Sequence, residues 1–178
     1  FTNDTSGKFN LWNYGGNTEV KDSTFIGTRG IKMYNEGTLP NPPSIEIKNT
    51  NFTGMTEKAA IVVSKAANVT LNTVGATDCI MGLLQKDIEG STDEQKVTIE
   101  ANGTGISGDF NITAQKDAEA AKNEFNISGG EFTSEVKQDY CEDAFEVKAS
   151  ADGKYTVVRS EYVAKVGGIG YTTLEAAF

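Results

Sequence analysis

The chain has 178 residues, 38% hydrophobic and 23% charged, with a net charge of −9 and no histidine. Such acidity provides no basic face to neutralise nucleic-acid phosphates, and the missing histidine excludes a Ser-His-Asp triad, a Cys-His dyad and a His-bearing zinc site. No apolar run reaches the length of a membrane-spanning helix, so one sizeable domain without membrane insertion is expected.

Phe1 to Lys8 is polar and reads as a frayed start or the remnant of an earlier repeat. The chain lacks a signal-peptide pattern and an initial Met, as expected of a piece of something longer. FNLWNYGG from Phe9 aligns with IKMYNEG from Ile31. The alignment places Phe9 and Leu11 inward with Ile31 and Met33, and matches Trp12 to Tyr34 and Asn13 to Asn35. By strand alternation Trp12 and Tyr34 then point outward. Stacked outward aromatics can bind the face of a sugar ring or the side chains of a partner protein, and can equally be cross-strand pairs that stabilise a sheet. Trp12, Tyr14 and Tyr34 are therefore the candidate binding residues.

From Glu19 the chain repeats itself. EVKDSTFIG is followed by EIKNTNFTG from Glu46, VTLNTVGAT from Val69, VTIEANGTG from Val97 and FNISGGEFT from Phe125. The apolar anchors Val20, Ile47, Leu71, Ile99 and Ile127 are spaced 27, 24, 28 and 28 residues apart. Phe25, Phe52 and Phe132 each stand five residues after an anchor. A second apolar run closes each copy, near Ile31, Ile61, Ile80, Phe110 and Phe145. Short period-2 runs at such a period predict an all-β, right-handed parallel β-helix of about five coils of 24–28 residues, each burying its inward side chains against its neighbours. A sandwich of short strands is the competing architecture, but it gives no reason for copies to match in register.

Thr38 to Ser44 carries all three prolines and must leave the ladder as a loop, since proline has no N–H to donate. Excursions of this kind are where binding surfaces often sit, so Pro40, Asn41 and Pro42 are loop candidates. A short helical turn is expected around Met55 to Ala60, a charged solvated loop over Lys86 to Lys96, and a helix-like insert over Gln115 to Lys122. Cys79 reads as a small core side chain and Cys141 as packed near an end of the stack, too far apart to bridge. The triplets at Asn3, Asn51, Asn68, Asn102, Asn111 and Asn126 match glycosylation acceptors, but arise by composition in an Asn- and Thr-rich repeat, with Asn bonding its neighbours' backbone at bends.

An enzyme acting on polysaccharide would need clustered carboxylates. Of the candidates Asp22, Asp78, Asp87, Asp109 and Glu46, Asp22 aligns with Asn49, Thr73 and Ala101, so no acidic column builds up. No catalytic residue, metal site or cofactor is assigned.

From Ile127 the text changes. Gly129, Gly130, Phe132 and Thr133 are followed by Tyr140, Cys141, Asp143 and Phe145, then by the turn pair Asp152 and Gly153 and the strand Tyr155 to Val158. This resembles the terminal segment of repeat units in large cell-wall or secreted proteins of gut Firmicutes. Tyr171, Thr173 and Leu174 look like the opening of a following unit, in which a strand runs into an amphipathic helix. The resulting division is 1–147 as coils, 148–160 as a hairpin capping the last coil, and 161–178 as the start of a next unit. The resemblance implies an extracellular or bacterial cell-surface location. The expectation is a non-enzymatic stalk or adhesin-like module binding a host protein, such as an immunoglobulin, or a glycan. The alternative is a lyase or glycoside hydrolase of the pectate-lyase-like superfamily.

Overall fold

The computed structural model describes residues 1–34, 43–64, 68–86, 95–100, 108, 110–115 and 123–178. The strands in chain order are β1 (Thr2–Asn3), β2 (Leu11–Asn13), β3 (Asn17–Lys21), β4 (Thr24–Gly27), β5 (Ile31–Tyr34), β6 (Ser44–Thr53), β7 (Ile61–Ser64), β8 (Asn68–Thr77) and β9 (Leu83–Lys86). They continue with β10 (Gln95–Glu100), β11 (Ile112–Gln115), β12 (Asn123–Ile127), β13 (Gly130–Phe132), β14 (Phe145–Ala149), β15 (Tyr155–Arg159), β16 (Ala164–Val166) and β17 (Ile169–Tyr171).

The protein is all-β, and its two larger sheets are parallel. The first runs β1-β4-β6-β8-β10-β12, with β3 also paired to β6; the second runs β11-β9-β7-β5-β2. Each copy of the repeat hydrogen-bonds to the next. Val20 faces Ile47, Ile47 faces Leu71, Leu71 faces Ile99 and Ile99 faces Ile127. In the second sheet Ile31 faces Ile61, which faces Leu83, which faces Ile112. Ile80 does not belong to this column, contrary to the expectation from CIMGLL. It is 58% exposed, and Leu83, three residues later, is the buried residue in register.

The odd spacing from anchor to phenylalanine has a backbone cause. Strict alternation would put residues five apart on opposite faces, yet Ile47 and Phe52 are both fully buried. Between them Asn49 adopts φ +45°, and Asp22 and Thr73 occupy the same place in their copies at +48° and +55°. One left-handed residue shifts the phase of the strand, so Ile45 and Ile47 point inward before it, and Thr50 and Phe52 after it. Asn and Asp tolerate this region better than other non-glycine residues. Asn49 also donates its side-chain amide to Asp22 Oδ1 at 3.2 Å.

Phe25 stacks on Phe52 with ring centroids 5.1 Å apart, and Phe1 on Phe25 at 4.8 Å. These spacings match the rise from strand to strand. The first residues are thus a further layer rather than a frayed end, with Thr2 opposite Ile26 and Asn3 opposite Gly27. Phe132 does not join this column. It packs against Phe110 at 6.0 Å and lies on β13, which is antiparallel to β15.

Several local expectations are corrected. Met55 to Ala60 is irregular rather than helical, with Met55, Ala59 and Ala60 buried. Lys86, Gln95 and Lys96 belong to strands and Gln115 ends β11; residues 87–94 and 116–122 lie outside the described residues. Phe145 opens the antiparallel hairpin β14–β15, so the hairpin begins there and not at 148. The edge of β12 is met by the Tyr140–Glu142 segment rather than by the hairpin. Tyr140 packs on Phe125 at 4.5 Å, Cys141 bridges to Ile127, and the Glu142 N–H donates to the Ile127 carbonyl at 3.0 Å. Cys79 and Cys141 are not joined in a disulfide and both are half-buried, and burial pushes the Cys141 thiol up. After Ser160 the chain forms the two-stranded β16–β17 sheet and then a turn, with the Ala176 N–H donating to Thr173 Oγ1. Among the described residues no helix is long and apolar enough to cross a membrane.

Candidate functional site

The candidate site is the outer face of β2 and β5 at the end of the second sheet. The register there differs from the sequence alignment by two residues: Leu11 faces Ile31, Trp12 faces Lys32 and Asn13 faces Met33. A two-residue slip preserves the side on which each residue points, so Trp12 still points outward but is not paired with Tyr34. Asn10 fixes the register, its amide donating to the Arg29 carbonyl at 2.9 Å and its backbone N–H to the same oxygen at 3.1 Å. Asn13, rather than Leu11, then takes the inward place beside Met33. It is buried and satisfied, donating to Thr18 Oγ1 at 2.7 Å and accepting the Gly15 N–H at 3.0 Å.

Those two bonds close the turn that carries Tyr14, with Gly16 at φ +76°. Tyr14 therefore links the other two aromatics, its ring 6.4 Å from that of Trp12 and 5.7 Å from that of Tyr34. Trp12 is 56% exposed and Tyr14 47%, in a protein that fully buries Phe25, Phe52, Phe110 and Phe132. The three aromatic candidates come together on one surface. Pro40, Asn41 and Pro42 lie outside the described residues, as does Asn35. Pro43 is buried and its carbonyl accepts the Asn68 N–H at 2.9 Å.

Sequence reasoning missed the centre of the patch, Lys32. Its Nζ stands 4.7 Å from the Trp12 ring centroid, 4.9 Å from Tyr34 and 5.8 Å from Phe9, within the range of cation–π attraction. Phe9 is not the inward core residue expected; it lies beneath Lys32 and Arg29, the latter at 5.6 Å. The available signal was the alternation of IKMY, which puts Lys32 on the same side as Tyr34.

Arg29 is anchored from below. Its Nε donates to Glu57 Oε2 at 2.8 Å and its Nη1 to the Gly7 carbonyl at 3.3 Å, while Glu57 Oε2 also accepts the Gly7 N–H at 3.0 Å. The Ser6 hydroxyl, the Gly7 N–H and Arg29 together hold the Glu57 carboxyl at about 2, below its ordinary 4.5. A depressed carboxylate stabilises the fold above the unfolded value and loses that contribution as pH falls through the folded one. The melting-temperature gap between wild type and Glu57→Gln will therefore be constant above about pH 4.5 and close as pH falls toward 2. A gap independent of pH over that interval would dissolve this assignment.

The acidic candidates are dispersed. Asp22 accepts from Asn49, Glu46 pairs with Lys48 at 2.7 Å, and Asp78 sits at an exposed bend with φ +54°; Asp87 and Asp109 lie outside the described residues. Among the described residues no three His, Cys, Asp or Glu side chains gather as a metal site. No protein-family model, curated protein or solved structure significantly matches the chain.

Proposed function

We propose that the chain is a right-handed parallel β-helix module of a bacterial surface or secreted protein. Its role is non-enzymatic, and it binds a host protein or glycan through the Trp12, Tyr14 and Tyr34 patch. The β-helix reading is supported by parallel pairing between successive copies at the repeat period, in two sheets at once. The surface location is supported by the terminal Tyr140–Cys141 segment and the hairpin after it, which resemble repeat-unit ends of Firmicutes surface proteins.

The observation that carries the binding role is the exposure of two large aromatics side by side, Trp12 on β2 and Tyr14 in the turn that the Asn13 bonds close. Rigid aromatics give contact area at low cost in conformational entropy. The test is a glycan-array and secreted-protein binding screen of wild type beside Trp12→Ala/Tyr14→Ala. A ligand retained by wild type and lost by the double variant, with the melting temperature unchanged, is the expected result. Absence of any wild-type ligand would reduce the module to a spacer, and a ligand held equally by both proteins would move the binding surface elsewhere.

A further inference from the structure

We propose that the free edge of β3 is a docking slot for an extended peptide of a partner protein, which joins the sheet as a parallel strand carrying a basic, an apolar and an acidic residue in succession. This surface is separate from the aromatic patch and does not rest on it. Beside β4 and β5 the stack continues, with β1 paired to β4 and β2 to β5. Among the described residues β3 pairs with β6 alone, so the layer that holds β1 and β2 has a gap one strand wide beside Asn17–Lys21. The two ends of the β3–β6 ladder fix the direction of the backbone groups. The Ser44 N–H donates to the Gly16 carbonyl and the Asp22 N–H to the Lys48 carbonyl, so the even-numbered residues of β3 bond to β6. Asn17, Glu19 and Lys21 therefore turn their N–H and C=O groups to the gap, and all three are exposed. The Lys21 carbonyl accepts the Ser23 hydroxyl at 2.8 Å, which leaves the Lys21 N–H and both backbone groups of Glu19 at the open edge.

A row of open backbone groups recruits an extended chain, and the side chains of β3 select which one. Inward, Val20 ends the apolar column of Ile47 and Leu71 and is 8% exposed where they are fully buried, so the residue opposite Val20 is apolar. Outward, Glu19 lies opposite Glu46 and Lys21 opposite Lys48. Lys48 relieves these like-charge pairs by reaching Glu46 at 2.7 Å and Glu19 at 4.0 Å. A further carboxylate beside Glu19, or a further ammonium beside Lys21, would extend each repulsive row. The complementary strand instead sets a basic residue opposite Glu19 and an acidic one opposite Lys21. A second copy of this chain is a poorer occupant, since the edge it offers in return is β3, which stands one layer behind its own β1 and β2 and cannot enter the gap.

The experiment is calorimetric titration of the purified protein with a short blocked peptide of alternating pattern centred on Lys-Val-Glu, and with its charge-swapped form centred on Glu-Val-Lys. The first is expected to bind about tenfold more tightly, since each swap turns an opposite-charge pair into a like-charge pair. Glu19→Lys/Lys21→Glu should reverse that preference, and both side chains are exposed, so the variant should melt as wild type does. In a parallel pair the peptide residue opposite Val20 donates to the Glu19 carbonyl and accepts the Lys21 N–H, while its neighbours point away. N-methylation of the central Val should therefore abolish binding, and N-methylation of the Lys before it should leave binding unchanged. Trp12→Ala/Tyr14→Ala should bind the peptide as wild type does. Equal binding of the two peptides, or a preference that the charge-reversed variant does not invert, would overturn the proposal. Tolerance of the methyl on Val would overturn pairing through the β3 edge. Loss of binding in the Trp12 and Tyr14 variant would overturn the slot in favour of the aromatic patch. If neither peptide binds, the slot falls, and the ligand screen of the aromatic patch keeps its own outcome.

Discussion

Phe52→Ala will cost about 3–5 kcal/mol of folding stability, the range for emptying a buried aromatic site. Phe52 is fully buried, and its ring lies almost parallel to that of Phe25, at 12° and 5.1 Å. In register on its other side stands only Ala76, whose methyl cannot expand into the space left behind. The strands on either side are fixed by backbone hydrogen bonds, so the walls cannot collapse inward and a cavity remains. Phe1→Ala, at the open end of the same column and 70% exposed, should cost under about 1 kcal/mol, because solvent fills its place. Urea unfolding of both variants checks this, with the denaturant slope unchanged if the native surface is preserved. Equal losses for the two variants would mean that the phenylalanine column is not a continuous core.

The column was legible because one side chain repeats at one place in successive copies. Val20, Ile47, Leu71, Ile99 and Ile127 align in the text and pair in the sheet, since parallel register preserves sequence order. What the text concealed is where the backbone changes phase. Asp22, Asn49 and Thr73 make no column of acids; they are the set of left-handed residues that brings both halves of each copy to face the core. Side-chain type signals this only weakly, as Thr73, a β-branched residue, shows by occupying the same conformation.

The aromatic patch was half legible for a related reason. Alternation assigns a face without assigning a partner, so Trp12 and Tyr34 could be placed outward from spacing alone. Slipping by two residues changed nothing in that pattern but set Lys32 opposite Trp12 and Asn13 opposite Met33. The true register depends on Asn10 and on the Asn13–Thr18 bond, polar contacts that a hydrophobic pattern does not encode. Tyr140 and Cys141 carried no periodicity at all, and their place on the edge of β12 follows from the backbone bond of Glu142 to Ile127.

Gly30→Ala will destabilise the protein by about 3 kcal/mol, the upper end of ordinary overpacking, and will weaken ligand binding with it. A methyl at Gly30 would lie 2.1 Å from the Ala60 carbonyl oxygen and 2.9 Å from its carbon. Neither atom can swing away, because that oxygen accepts the Ile31 N–H at 2.8 Å and the Ala60 N–H donates to Met81 at 2.8 Å. On the other side the Gly30 carbonyl accepts the Leu11 N–H. Relief therefore requires β5 to move relative to β7 or β2, and β5 carries Lys32 and Tyr34. Gly16→Ala is the control. Gly16 has φ +76° but nothing within 4 Å of an added methyl, so only the left-handed conformation is penalised, by about 1 kcal/mol. Thermal and urea unfolding of the two variants separates crowding from backbone strain. If Gly30→Ala melts no lower than Gly16→Ala, then β5 can separate from β7 at little cost, and the rigid seat assumed for the aromatic patch does not exist.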